Sequence, residues 1–216
     1  DNEIFAGLIV ECVNARIEVH ETPYSTISLG WGWAWEVYHA GRGNIIEQNA
    51  VFRSFGDGLA DGESSNTHNR NPDTVIRRNY LHKHRAYHAL LYPDIGSAQI
   101  LFEQNVMTQG ARWLFMHMPL IEENTFRENY IDSNRSYLYG VNNVFENNRL
   151  YGHGIWPEPA LEIIAESGPE AAYRDLVPLG ITLVNPLPKA QMPVGETVSL
   201  VARPTGNPSL LSHVCP

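Results

Sequence analysis

The chain has 216 residues, of which 43% are hydrophobic and 18% charged, and its formal net charge is −9. That length carries one sizeable core, or one domain and part of another. The acidic balance, a pI near 5.4 and lysine at only Lys83 and Lys189 argue against a phosphate-binding surface for nucleic acid. No apolar run is long enough for a membrane-spanning helix, and no signal sequence opens the chain at Asp1, so a mature or truncated piece is expected. Cys12 and Cys215 lie at opposite ends; two free thiols are expected over a single disulfide.

The first 156 residues repeat. Apolar, two polar, Asn, any, apolar recurs from Ile46 to Val51, Ile76 to Leu81, Phe102 to Met107, Phe126 to Ile131 and Phe145 to Leu150. The asparagines Asn49, Asn79, Asn105, Asn129 and Asn148 follow one another at 30, 26, 24 and 19 residues. Flanking stretches such as Asn44 to Glu47 and Thr74 to Arg77 alternate as strands do. One such unit cannot bury its apolar face alone, so the pattern predicts stacked coils, each supplying the core of its neighbours. Asn tolerates left-handed backbone angles and bonds to nearby main chain, so each is expected to make the bend and to stack as an amide ladder at one corner. Helical repeats would space apolar residues by three and four with few Asn. The fold expected is all-β, a right-handed parallel β-helix over residues 1–156.

Composition changes at Trp156. Residues 1–156 hold four prolines and sixteen asparagines, and residues 157–216 ten and two. A helical and linker segment is expected over 157–180: a short helix from Pro159 to Ser167 with Leu161, Ile164 and Ala165 on one face, closed by Gly168, then a second turn to about Leu176. Over 181–216, Thr197 to Ala202 alternates like a strand, after a turn at Pro193 to Glu196. This stretch reads as a partial β-sandwich-like module or a tail, with Val198, Leu200 and Val201 away from the coil core.

Several residues suit chemistry on such a stack. Asp61 lies 12 residues after Asn49, and Asp94 lies 15 after Asn79, each in a bend that contains glycine. Similar phase is expected to place both on one side, one or two layers apart. Strands stacked ~4.8 Å apart bring such carboxyl groups within the separations glycoside hydrolysis uses. An Asp before Gly is equally a turn residue, and Asp57 and Glu63 flank the first candidate. Asp94, between Tyr92-Pro93 and Ile95, has the more apolar neighbours, which favours it as the acid and Asp61 as base or nucleophile. Trp31, Trp33 and Trp35 share one strand face and offer rings for sugars to stack on, or fill the core instead. Arg85, His88, Tyr92 and His117 are further candidates for contact with substrate. His82, His84 and His88 lack an acidic or Cys partner at recognisable spacing, so no metal and no cofactor are expected.

Beyond the Asn turns, four stretches occur in an order that resembles carbohydrate-active parallel β-helix proteins. They are Pro23 to Trp33, Leu59 to Gly62, Leu91 to Ser97 and Ile163 to Leu176. The set is similar to glycoside hydrolase family 141 and to related pectate-lyase-like β-helix proteins, and covers about residues 15–178. The resemblance implies that Asp61 and Asp94 match acidic residues thought catalytic in that family. This chain departs from the pattern after Asp61-Gly62, where Glu63 to Asn66 replace further glycines, and at Ile95, where relatives often carry Glu. The His-rich segment is reduced to Phe115 to Pro119, and the first coils look shortened, as in a truncated piece.

The function expected is a bacterial glycosidase, secreted or extracellular with the periplasm as the other option, that acts as a monomer on a plant or microbial polysaccharide such as xylan or a fucosylated glycan. Two alternatives stand beside it. One is a non-catalytic glycan-binding or surface β-helix, or an inactive fragment. The other is a polysaccharide lyase, for which Lys83 and Arg85 are the only clustered bases.

Overall fold

The computed structural model describes residues 4–6 (backbone alone), 9–20, 22, 25–30, 41–52, 64–84, 88–152 and 155–174. Short strands form three sheets of six, every pairing parallel. Sheet 1 contains β1 (Ile4–Ala6), β4 (Ile27–Leu29), β7 (Ser65–Thr67), β10 (Leu91–Pro93), β13 (Leu114–Met116) and β16 (Ser136–Leu138). Sheet 2 contains β2 (Val13–Ala15), β5 (Ile45–Glu47), β8 (Arg70–Arg77), β11 (Ala98–Glu103), β14 (Thr125–Arg127) and β17 (Val144–Glu146). Sheet 3 contains β3 (Glu18–His20), β6 (Ala50–Phe52), β9 (Tyr80–His82), β12 (Val106–Thr108), β15 (Tyr130–Ile131) and β18 (Arg149–Leu150). Over the described residues the chain visits the three sheets in turn, six times. This is the expected parallel β-helix, with coils 1 to 6 stacked in sequence order.

The core is a set of columns. Ile46, Ile76, Phe102 and Phe126 point inward from sheet 2, and Val51, Leu81, Met107 and Ile131 from sheet 3. Phe102 and Phe126 stack at 4.8 Å, and Phe145 continues the stack at 5.1 Å. Like side chains recur at one register because adjacent coils present the same pocket to each other.

The predicted asparagines do form one ladder, between sheets 2 and 3. Asn49, Asn79, Asn105 and Asn129 each donate through Nδ2 to the Oδ1 of the next, at 3.0, 3.0, 3.1 and 2.8 Å, ending on Asn148. Each backbone N–H donates to that same oxygen, and the second Nδ2 hydrogen reaches a main-chain carbonyl, as from Asn105 to Ile76 at 2.9 Å. At the first coil Ile17 N–H takes the place of the amide, 3.0 Å from Asn49 Oδ1.

One detail corrects the expectation. The left-handed residue is not the Asn but the one before it: Arg16, Gln48, Arg78, Gln104, Glu128 and Asn147 have φ between +51° and +58°. The strained residue is therefore free to send a long polar side chain outward, while the asparagine points into the stack and satisfies the bend.

A second, shorter ladder stands five residues earlier, at the entry to sheet 2. Cys12 N–H donates to Asn44 Oδ1 at 3.1 Å, Asn44 N–H to Thr74 Oγ1 at 3.3 Å, and Ile100 N–H to Asn124 Oδ1 at 3.1 Å. Asn124 then donates through its N–H and its Nδ2 to Asn143 Oδ1. Cys12 is disulfide-bonded rather than free as expected; the chain's other cysteine, Cys215, lies outside the described residues.

Helix α1 (Glu158–Glu166) follows the last coil and lies on the outer face of sheet 3. Pro159 sits in its first turn, where no intrahelical bond is lost. Ala160 and Ile163 are the buried positions, against Val106, Tyr80 and Tyr130, with Ile164 partly buried. Leu161, expected on the buried face, is 52% exposed. The segment beyond is tied to the left-handed corners of earlier coils: Glu166 accepts from Gln48 at 3.0 Å and Arg78 at 2.9 Å, and Gly168 N–H donates to Gln48 O at 2.7 Å. Residues 171–174 form a 3₁₀ turn in place of part of the expected second helical turn. The expected module over 181–216 lies outside the described residues.

Beyond β9 the chain turns at Lys83, φ +57°, and places His84 inside, 4% exposed. Burial, with the neighbouring His88 adding to it, pushes this imidazole from the ordinary 6.5 down to about 4.

Two predictions follow from the ladder and from this histidine. Asn105→Ala removes four hydrogen bonds at a fully buried position, two of them accepted from Asn79, and is expected to cost about 3–5 kcal/mol in urea unfolding. Asn148→Ala, in the half-open last coil, is expected to cost only about 1 kcal/mol; equal costs would deny the ladder its role. Between about pH 6.5 and 4 the unfolded chain binds a proton that folded His84 refuses, so stability falls as pH drops through that window. The unfolding midpoint followed from pH 7 to 4 checks this, and His84→Asn should flatten the slope.

Candidate functional site

Sheet 1 presents its inward positions, Ile27, Leu29, Leu91, Leu114 and Met116, to the core. The residues between them face outward in register: Ser28, Asn66, Tyr92, Phe115 and Tyr137. One step past the strand ends, the same count aligns His68, Asp94, His117 and Tyr139, one per coil from coil 3 to coil 6. Asp94 therefore sits on the rim of sheet 1, between an imidazole from the coil below and one from the coil above.

The sequence fixes that rim. Asp94 N–H donates to Thr67 O at 2.8 Å, which extends the sheet pairing to Asp94 itself. Ser97 N–H closes a turn on Asp94 O at 2.8 Å, and Gly96 takes the left-handed position at φ +68°. Thr67 and Ser97 hydroxyls, both buried, meet at 2.7 Å beneath the turn. His68 is fastened in the coil below by its N–H to Leu29 O at 2.9 Å and by its carbonyl, which accepts from Asn71 at 2.8 Å.

The three side chains approach closely. His68 Nδ1 lies 3.9 Å from Asp94 Oδ2, and His117 Nδ1 lies 3.6 Å from Asp94 Oδ1. Asp94 is itself buried, its side chain 13% exposed, and Oδ1 receives no hydrogen bond among the described residues. Burial holds the His68 imidazole below its usual value, opposed by the Asp94 charge. His68 is thus a neutral polar neighbour near pH 7 rather than a counter-ion. His117 Nδ1 is also 3.2 Å from Tyr92 Oη, so one ring nitrogen stands between a phenol and a carboxyl group. His88 stacks on Tyr92 at 5.3 Å and leans on Phe115 at 4.9 Å. Arg112 donates to His88 O at 3.4 Å, and its guanidinium lies 5.5 Å from the centre of the Phe115 ring. A shielded carboxyl group at the edge of an aromatic face is suited to exchange a proton with an oxygen of a ring-shaped ligand stacked there.

Of the residues selected from sequence, Asp94, His88, Tyr92 and His117 come together here. Asp61, Trp31, Trp33 and Arg85, together with Trp35, Asp57 and Glu63, lie outside the described residues. Asp94 immediately follows the sheet 1 strand β10, and its expected partner in phase, Asp61, lies outside the described residues. Of the three histidines, His82 stacks on Tyr80 at 4.2 Å on sheet 3, whereas His84 is buried as a neighbour of His88, which lies over sheet 1.

Sequence reading missed His68, Phe115 and Arg112. The first had a signal: His68, Asp94 and His117 each stand three residues after the first residue of their sheet 1 strand.

No family model and no curated protein matches this chain. Among solved structures, one described as "Glycoside hydrolase" matches 80% of the chain at 26% identity with a TM-score of 0.50. The chain spans about a quarter of that structure's length, 25%. Most of this chain is thus similar to part of a glycoside hydrolase.

Proposed function

We propose that this chain is the β-helical part of an O-glycosyl hydrolase acting on a plant or microbial polysaccharide, with xylan and fucosylated glycans the first substrates to try. One observation carries the reading: the buried Asp94, between His68 and His117, opens onto the aromatic outer face of sheet 1. The likeness to a glycoside hydrolase supports it, as does the resemblance of the Leu91 to Ser97 stretch to family 141.

In this reading Asp94 donates its proton to the leaving glycosidic oxygen. Asp61 attacks the anomeric carbon or deprotonates the attacking water. His88, Tyr92 and His117 line the sugar, joined by Trp31, Trp33 and Arg85. Asp94 takes the acid role because its carboxyl group is shielded between His68 and His117 at the edge of the aromatic face a sugar would stack on. Secretion and a monomeric state belong to the same proposal.

Reducing-sugar release from a polysaccharide panel tests it. Asp94→Asn is expected to lower the rate about 10²–10⁴-fold with the fold intact by circular dichroism, and Asp61→Asn to do the same. Parent-like rates in both variants would remove the pair. An ultraviolet-absorbing unsaturated product would mean a lyase instead, and binding without release from any glycan would leave a glycan-binding module.

A further inference from the structure

The outward row of sheet 1 changes character along the stack. In coils 2 and 3 it is Ser28 and Asn66, small polar residues 2% and 1% exposed; in coil 4 it is Tyr92, at 5%. Past Asp94 the row opens: Phe115 in coil 5 is half-buried and Tyr137 in coil 6 is 48% exposed. Among the described residues the outer face is therefore covered in coils 2 to 4 and open in coil 5 and in coil 6, the end of the described stack, where Leu138 and Phe145 are exposed too.

The open part is an arranged surface. Phe115 and Tyr137 rings are 5.1 Å apart and tilted by 30°, and the His117 ring stacks with Phe115 at 5.9 Å and 14°. Polar groups rim the two rings: the Arg112 guanidinium, the His117 imidazole and, in the row of Asp94, Tyr139, itself 58% exposed. Flat apolar faces ringed by hydrogen-bonding groups match a pyranose or furanose ring, whose C–H face stacks while its hydroxyls reach sideways. Coils ~4.8 Å apart set this platform within a short run of sugar units from Asp94.

We propose that Phe115 and Tyr137 form a sugar subsite, and that the glycan runs along the stack axis from Asp94 toward coil 6 rather than toward coil 1. The proposal rests on the reading of the site as carbohydrate-active and adds the direction of the chain and the residues that hold it. It commits to a neutral glycan as occupant, because the surface is continuous with the rim of Asp94.

The test measures binding, not turnover, in Asp94→Asn protein. Calorimetry with a panel of neutral hexasaccharides that includes xylohexaose identifies the tightest, and the disaccharide of the same series is the reference. Adding Tyr137→Ala should weaken the hexasaccharide about tenfold, with the disaccharide unchanged within about twofold. Tyr137→Phe should retain binding, and an unchanged melting temperature excludes a folding effect. Parent-like hexasaccharide binding in both Tyr137→Ala and Phe115→Leu, equal loss for the disaccharide, or no binding by any hexasaccharide would each overturn the proposal. So would a dimer in sedimentation that Tyr137→Ala dissolves, which would assign the patch to a second copy. The arms separate the two readings: length-dependent loss at Tyr137 with full hydrolysis by single Asp94→Asn would keep the subsite and remove the proposed acid.

Discussion

Each of the six described coils closes a corner through a backbone angle that L-residues disfavour, and from the second coil on an asparagine one position later holds that corner shut. An isolated left-handed residue of this kind costs of order 1 kcal/mol. The amide repays it with up to four hydrogen bonds: two accepted from the preceding coil, one donated to a carbonyl and one to the next amide, as at Asn105. Because both coils contribute, neither corner is stable without its neighbour. Cooperativity along the stack is thus written into a single side chain per turn, and the second ladder at Asn44, Asn124 and Asn143 repeats the device.

The functional rim inherits its precision from this spacing. Coils held in register by amides place equivalent residues one above another, so a residue type chosen in one coil meets the one chosen in the next. Columns result everywhere: Phe102, Phe126 and Phe145 inside, and Glu47, Arg77, Glu103, Arg127 and Glu146 alternating in charge on the outer face of sheet 2. The charge column stands at the surface, half-buried except at Glu146, where each pair contributes only modestly to stability. On the rim of sheet 1 the same geometry sets a carboxyl group between two imidazoles, one interior and one half-open. Shielding on one side and access on the other are what a proton donor to a bound ligand requires.

The helix after the last coil shows a related economy. Its apolar face packs on sheet 3, and its end bonds to Gln48 and Arg78, two of the strained corner residues. The outward side chains that the left-handed corners present thereby become fastening points for the segment that runs back along the stack.

What the residues alone determined was the repeat. The hexapeptide pattern dictates coils and a ladder because buried apolar and amide positions recur in phase, and phase is a local property of sequence. The helix was legible for the same reason, through Pro159 and Gly168, although which face it buries was not: that choice belongs to Tyr80, Val106 and Tyr130 in distant coils. Even the corner was half legible, since Asn marks it while the strained angle falls on the residue before. The site was decided by tertiary structure. His88, Tyr92, Asp94 and His117 could be named as candidates, yet His68 joins them only through the register of β7 on β10. Strand register, set by hydrogen bonds between residues some 25 apart, converts a linear spacing into a neighbour. No count along one strand contains that information.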